Sequence, residues 1–76
     1  MNRVWINPEK RRYYRAHLQV DLFGDWTLTR CWGSLDSHLG QVRTELVDNQ
    51  AHGLRVLAGI DKRRSIRGYL STRTHA

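Results

Sequence analysis

Apolar and polar positions alternate along two neighbouring stretches of the chain. In residues 13–21, Tyr14, Ala16, Leu18 and Val20 fall on one side and Tyr13, Arg15, His17 and Gln19 on the other. A period of two marks a half-buried strand. Leu22-Phe23-Gly24-Asp25 reads as a turn, with Gly24 free to take positive φ. The stretch 26–32, rich in Trp and Thr, alternates again and is expected to pair back as a hairpin. There Trp26, Leu28 and Arg30 share a side, so that face is not purely apolar. A glycine-bounded loop spans 33–40, and a third strand is expected over 41–47, with Val42, Thr44 and Leu46 on one face. Asp48 or Asn49 can then cap a helix over 49–64, closed by Gly68. Leu54, Leu57, Ala58 and Ile60 form its expected core stripe, opposite His52, Arg55, Gly59, Lys62 and Arg63. Gly53 and Gly59 weaken that helix by about 1 kcal/mol each relative to Ala, so it depends on packing against the sheet. The expected architecture is α+β, a small curled antiparallel sheet against one C-terminal helix. The pattern assigns 1–11 to an irregular basic lead-in around Asn7-Pro8, 12–70 to the folded domain, and 71–76 to a disordered tail.

Seventy-six residues allow a single domain. The content, 39% hydrophobic and 26% charged, is that of a folded soluble chain. Cys31, the sole cysteine, makes no internal disulfide and fits a reducing compartment. No apolar stretch is long enough to span a membrane, and the N-terminal residues do not resemble a signal peptide, so a cytoplasmic location is expected.

Charge changes the picture more. Eleven Arg and two Lys against seven acids give a net +6. Such a balance on so small a body favours a polyanionic partner, and Arg is the better fork for phosphate oxygens. The cations gather in two runs, Lys10-Arg11-Arg12-Arg15 and Lys62-Arg63-Arg64-Arg67. Each run read alone is an ordinary solvated surface; the two converging on one face would point to phosphate binding. Trp32 lies where a strand runs into the glycine-bounded loop, a place from which a ring can be presented to a ligand or turned into the core. The four histidines and Cys31 match no metal-ligand spacing. Asp36-Ser37-His38 collects three triad residue types as sequence neighbours, which cannot adopt triad geometry. With no phosphate-cradling glycine loop either, the expectation is a non-enzyme without cofactor or metal.

The order of several further features resembles the WGR domain, named for a Trp-Gly-Arg triplet. They are Arg12-Tyr13-Tyr14, a Leu-bearing strand, Leu22-Phe23-Gly24-Asp25-Trp26, Trp32-Gly33, Gly40-Gln41, and a helix ending in Lys62 to Tyr69. The resemblance covers nearly all of the chain after about Arg11 and is nearest to short stand-alone bacterial versions. It implies DNA binding, with a preference for ends, nicks or gaps, and a nucleoid-associated location in a bacterium. In the poly(ADP-ribose) polymerases the triplet sits near a DNA end and its Arg makes polar contacts; here that position is Ser34, so this contact does not carry over. The candidate binding residues are Arg11, Arg12, Tyr13, Trp32, Gly33, Ser34, Gln41, Arg43, Lys62, Arg63 and Arg64. Binding to a protein partner, or to RNA, are the alternatives; neither a membrane nor a small-molecule substrate is expected.

Overall fold

A computed structural model describes residues 1–72. It is a small α+β fold of five strands and one helix: β1 (Asn2–Asn7), β2 (Arg12–Val20), β3 (Trp26–Ser34), β4 (Gly40–Val47), α1 (Gln50–Ile66) and β5 (Leu70–Thr72). The strands form one sheet, ordered β4-β3-β2-β1-β5. Every neighbouring pair is antiparallel. The helix packs on one face, and the other face is uncovered.

The expected hairpin is present. Leu18 pairs with Leu28 and Tyr14 with Trp32 across β2 and β3. Asp21 closes its turn, its carboxylate accepting from the backbone N–H groups of Phe23 and Asp25, with Gly24 at φ +83°. Asn49 is the N-cap, its side chain accepting from His52 N at 2.8 Å. At the other end Gly68 takes φ +87°, while Gly68 N donates to Ser65 O and Tyr69 N to Arg64 O. This paired closure satisfies the last carbonyls and carries the helix two residues beyond Arg64.

Two expectations are corrected. First, the lead-in is not irregular. β1 lies between β2 and β5, and Trp5, at 1% exposure, is among the most deeply buried side chains. Ser71 and Thr72 likewise belong to β5 rather than to a disordered tail, the rest of which lies outside the described residues. Both segments are too short to show a period of their own. Second, the helix is rotated relative to its expected stripe. Gly53, Leu57 and Ile60 are buried, whereas Leu54 and Ala58 are exposed. The phase is set by contacts that hydropathy does not encode, since Trp5 Nε1 donates to Asp61 Oδ1 at 2.8 Å and Gly53 lies on Leu18. Val42, Thr44 and Leu46 share one face of β4 as expected; it is the uncovered face, and there Val42 and Leu46 are 70% exposed, while Val20 on the helix side is 47% exposed beyond the helix's reach. The core is Trp5, Tyr14, Ala16, Leu18, Leu28, Val47, Leu57 and Ile60.

The two helical glycines should respond oppositely to substitution. A Cβ at Gly53 would come within 3.2 Å of Leu18 Cγ and nearer still to its methyls, while one at Gly59 meets nothing within 4 Å. Gly59→Ala is expected to stabilise by up to about 1 kcal/mol, the propensity difference. Gly53→Ala should destabilise by about 1–3 kcal/mol through overpacking against buried Leu18. Denaturant melts of the two variants check the pair of signs.

Candidate functional site

Directly opposed residues of an antiparallel pair share a face. The register therefore sets Trp5, Tyr14, Trp32 and Gln41 in one row on the helix side, flanked by a second row of Asn7, Arg12 and Ser34. A third row on the same face holds Arg3, Ala16, Arg30 and Arg43. The Tyr14 and Trp32 rings are stacked, centroids 5.8 Å apart and planes 13° off parallel, and Trp5 meets Tyr14 edge-on at 5.9 Å. Arg64, from the last turn of α1, holds its guanidinium 4.5 Å from the Tyr14 centroid and 5.1 Å from that of Tyr69. Such cation–π contacts hold the helix end over the aromatic row without consuming the charge.

Beside this stack opens a groove of about 640 Å³, lined by Asn7, Lys10, Arg12, Tyr13, Tyr14, Trp32, Gly33, Arg64, Arg67 and Tyr69. Four of these residues are cations and none is an acid. Trp32, half-buried against the core, also borders a second depression of about 330 Å³ shared with Arg12, Ser34 and Gln41. The two basic runs thus meet: Lys10 and Arg12 from the first, Arg64 and Arg67 from the second. A buried asparagine joins them. Asn7 is 4% exposed, its Oδ1 accepts from Lys10 N at 3.0 Å, and its Nδ2 donates to Arg67 O at 3.2 Å. Both ends of one amide are used, so the β1–β2 turn is fixed against the end of α1.

The candidates fall into groups. Arg12, Tyr13, Trp32, Gly33 and Arg64 line the groove, with Ser34 and Gln41 at its edge beyond Trp32. Arg11 does not offer a free charge. It sits at φ +52° and forks onto Asp36 with contacts of 2.9–3.1 Å, tying the β1–β2 turn to the β3–β4 loop. Hydrogen bonding to Arg11 holds the Asp36 carboxyl below its ordinary value. The bridge is therefore intact above the usual carboxylate range and is lost as pH falls through the depressed value. Tyr13 belongs to the uncovered face, where its ring covers the opposed Gly33 and Gly40; its hydroxyl would lie 2.7 Å from a Cβ at Gly40. The aromatic partner of Trp32 is instead Tyr14. Lys62 and Arg63 are exposed and do not line the groove, and Arg43 lies on edge strand β4 opposite Arg30. Arg30 is held above its ordinary value: partial burial opposes its charge, but Tyr14 and Glu45 outweigh it.

Asn7, Lys10, Tyr14, Arg67 and Tyr69 lie outside the candidate set. Tyr14 reads from the alternation as core, which it also is. Arg67 and Tyr69 belong to the basic helix end, and their entry into the groove follows from the turn at Gly68. For Asn7 the sequence offers no signal. Among the described residues no three His, Cys, Asp or Glu gather closely enough to hold a metal ion. Among the described residues no helix is long and apolar enough to cross a membrane. Comparison with protein-family models, curated proteins and solved structures finds no match.

Asn7→Ala removes the partners of two backbone groups in a part-buried setting. It should cost about 1–3 kcal/mol of stability, read from chemical denaturation. A change within error of zero would remove Asn7 from its joining role.

Proposed function

We propose that the chain is a non-enzymatic nucleic-acid-binding module that takes DNA in the groove beside Trp32. The observation that supports this most is the meeting of two basic runs, far apart in sequence, around a stacked Trp–Tyr pair. Four cations with no carboxylate among them suit a phosphodiester backbone. Ring faces beside them suit a base or sugar, worth about 1–3 kcal/mol per stacked base. The net charge of +6 adds longer-range attraction. The resemblance to the WGR domain adds the preference for ends, nicks or gaps, because only an interrupted duplex presents a base face to stack upon. The Ser34 position lies opposite Arg12, so that cation stands where the triplet's own is missing.

Titration of duplex DNA at several salt concentrations tests the phosphate contacts. Four contacts give a log–log slope of roughly −4, and Arg12→Ala or Arg67→Ala should each flatten it by about one unit. Lys62→Ala, which removes the same charge away from the groove, should alter it less. Equal effects from all three would replace the groove by the overall charge. A slope near zero would reject phosphate binding.

Trp32→Ala should weaken binding to DNA with ends or nicks by about 1–3 kcal/mol and binding to closed circular DNA much less. Equal loss on both substrates would leave Trp32 as a packing residue for the sheet. RNA and single strands in the same titration separate the RNA-binding alternative. Absence of binding to any nucleic acid would leave the groove to an acidic segment of a protein.

A further inference from the structure

β4 is an edge strand of eight residues, paired to β3 on one side and open on the other. A long, regular edge is a template for another strand, and folded proteins usually blunt theirs with proline, lysine or a bulge. β4 contains neither proline nor lysine, and its register with β3 runs unbroken from Gly40 to Val47. It also bears Val42 and Leu46, each 70% exposed on the uncovered face. Its charges, which on most edges would repel a second copy, are arranged differently. Arg43 and Glu45 stand on the helix-side face, one on each side of Thr44.

We propose that β4 pairs antiparallel with β4 of a second copy of this chain, about a two-fold axis through Thr44. That axis sets Arg43 opposite the partner's Glu45, and Glu45 opposite the partner's Arg43. On the other face it sets Val42 against the partner's Leu46, so each exposed apolar side chain is covered by an apolar one. The strand is self-complementary in both charge and hydropathy at this one register. Moving the axis to Arg43 or to Glu45 sets that charge against its own copy and Val42 or Leu46 against the partner's Thr44, losing both matches.

The charges are available for this. Glu45 spends Oε1 on Arg30, whose Nε and a terminal guanidinium nitrogen both reach that atom, and Oε2 has no partner among the described residues. Arg43 has no acidic partner among the described residues and stands opposite Arg30, a like charge. The partner's carboxylate relieves both conditions. Because opposed residues share a face, both helices and both grooves of the dimer lie on the same side of one continuous sheet. The proposal does not depend on the groove's ligand.

Sedimentation equilibrium of the full chain, taken up to about 1 mM, reads the association. The wild type should pass from monomer to dimer across this range. Arg43→Glu puts two carboxylates on the edge and keeps the Arg30 bridge; Glu45→Arg puts two cations there. Each should weaken dimerisation about tenfold or more, since two symmetric pairs turn from attraction to repulsion. An equimolar mixture of the two variants should dimerise again, because each then meets its complement. Val42→Lys, at an exposed position that folding does not need, should also abolish the dimer even if Glu45→Arg proves unstable by thermal melt. A wild type that stays monomeric, which would leave the edge to a strand of another protein, overturns the proposal. So does association untouched by Arg43→Glu and Val42→Lys, or a mixture of charge variants that stays monomeric.

Discussion

Trp5 is almost wholly buried, and an indole N–H removed from water must find an acceptor. It finds Asp61 on the helix, and this bond between the layers sets the rotation of α1. With Asp61 turned towards the sheet, Leu57 and Arg64, four and three residues away along the same side, turn with it, and Ile60 follows three residues after Leu57. Leu57 and Ile60 complete the core, and Arg64 comes to rest over Tyr14. A helix turned by one residue would bury Leu54 and Ala58 as hydropathy suggests. It would also carry Arg64 off the aromatic row and leave the indole nitrogen unpaired. The apolar packing and the cationic groove are thus fixed by one hydrogen bond, and Gly53, small enough to lie on Leu18, permits the approach.

How much of this could be read from the sequence follows from the kind of signal involved. The hairpin was legible because period-two alternation over β2 and β3 is strong and the turn chemistry around Gly24 is specific. The helix was legible through Asn49 and Gly68, whose capping roles are local. Its buried face was legible at Leu57 and Ile60 but not beyond them, because two of the groups that set it, Asp61 and Gly53, carry no hydrophobic weight. β1 and β5 escaped notice because short strands take their identity from their neighbours. At the site, Arg12, Trp32 and Arg64 were named from charge and aromatic placement. The loss of Arg11 to Asp36 was not readable, since their pairing joins turns 25 residues apart. That Tyr14 rather than Tyr13 stacks on Trp32 was hidden for a simpler reason: adjacent residues on a strand face opposite ways, and a motif of paired aromatics does not say which ring meets the tryptophan.

The inner face of the sheet divides between two demands. Towards Leu18, Leu28 and Val47 it is hydrocarbon and packs beneath the helix. Towards Arg12, Arg30 and Arg43 it is cationic, and the helix does not cover it. Among the described residues only Arg30 of these three has a carboxylate partner. Uncompensated like charges on a small body oppose compaction, and the hydrophobic half of the face must offset them. The same charge that disfavours folding is what an anionic partner would neutralise, so binding and stability draw on one set of side chains.

The groove is built from both sides of the chain's length: Asn7, Lys10 and Arg12 come before the hairpin, and Arg64, Arg67 and Tyr69 follow the helix. β1 likewise pairs with β5, across more than sixty residues. No contiguous fragment can therefore contain the site. During synthesis the hairpin can close early, but its basic lead-in has no Arg67 carbonyl to hold until the helix has been made and docked. An emerging chain thus presents scattered arginines rather than an assembled cleft. Contacts of such long sequence separation also slow folding for a chain of this size. The groove is complete only when both parts of the chain are in place, which makes its presence a report that the whole domain has folded.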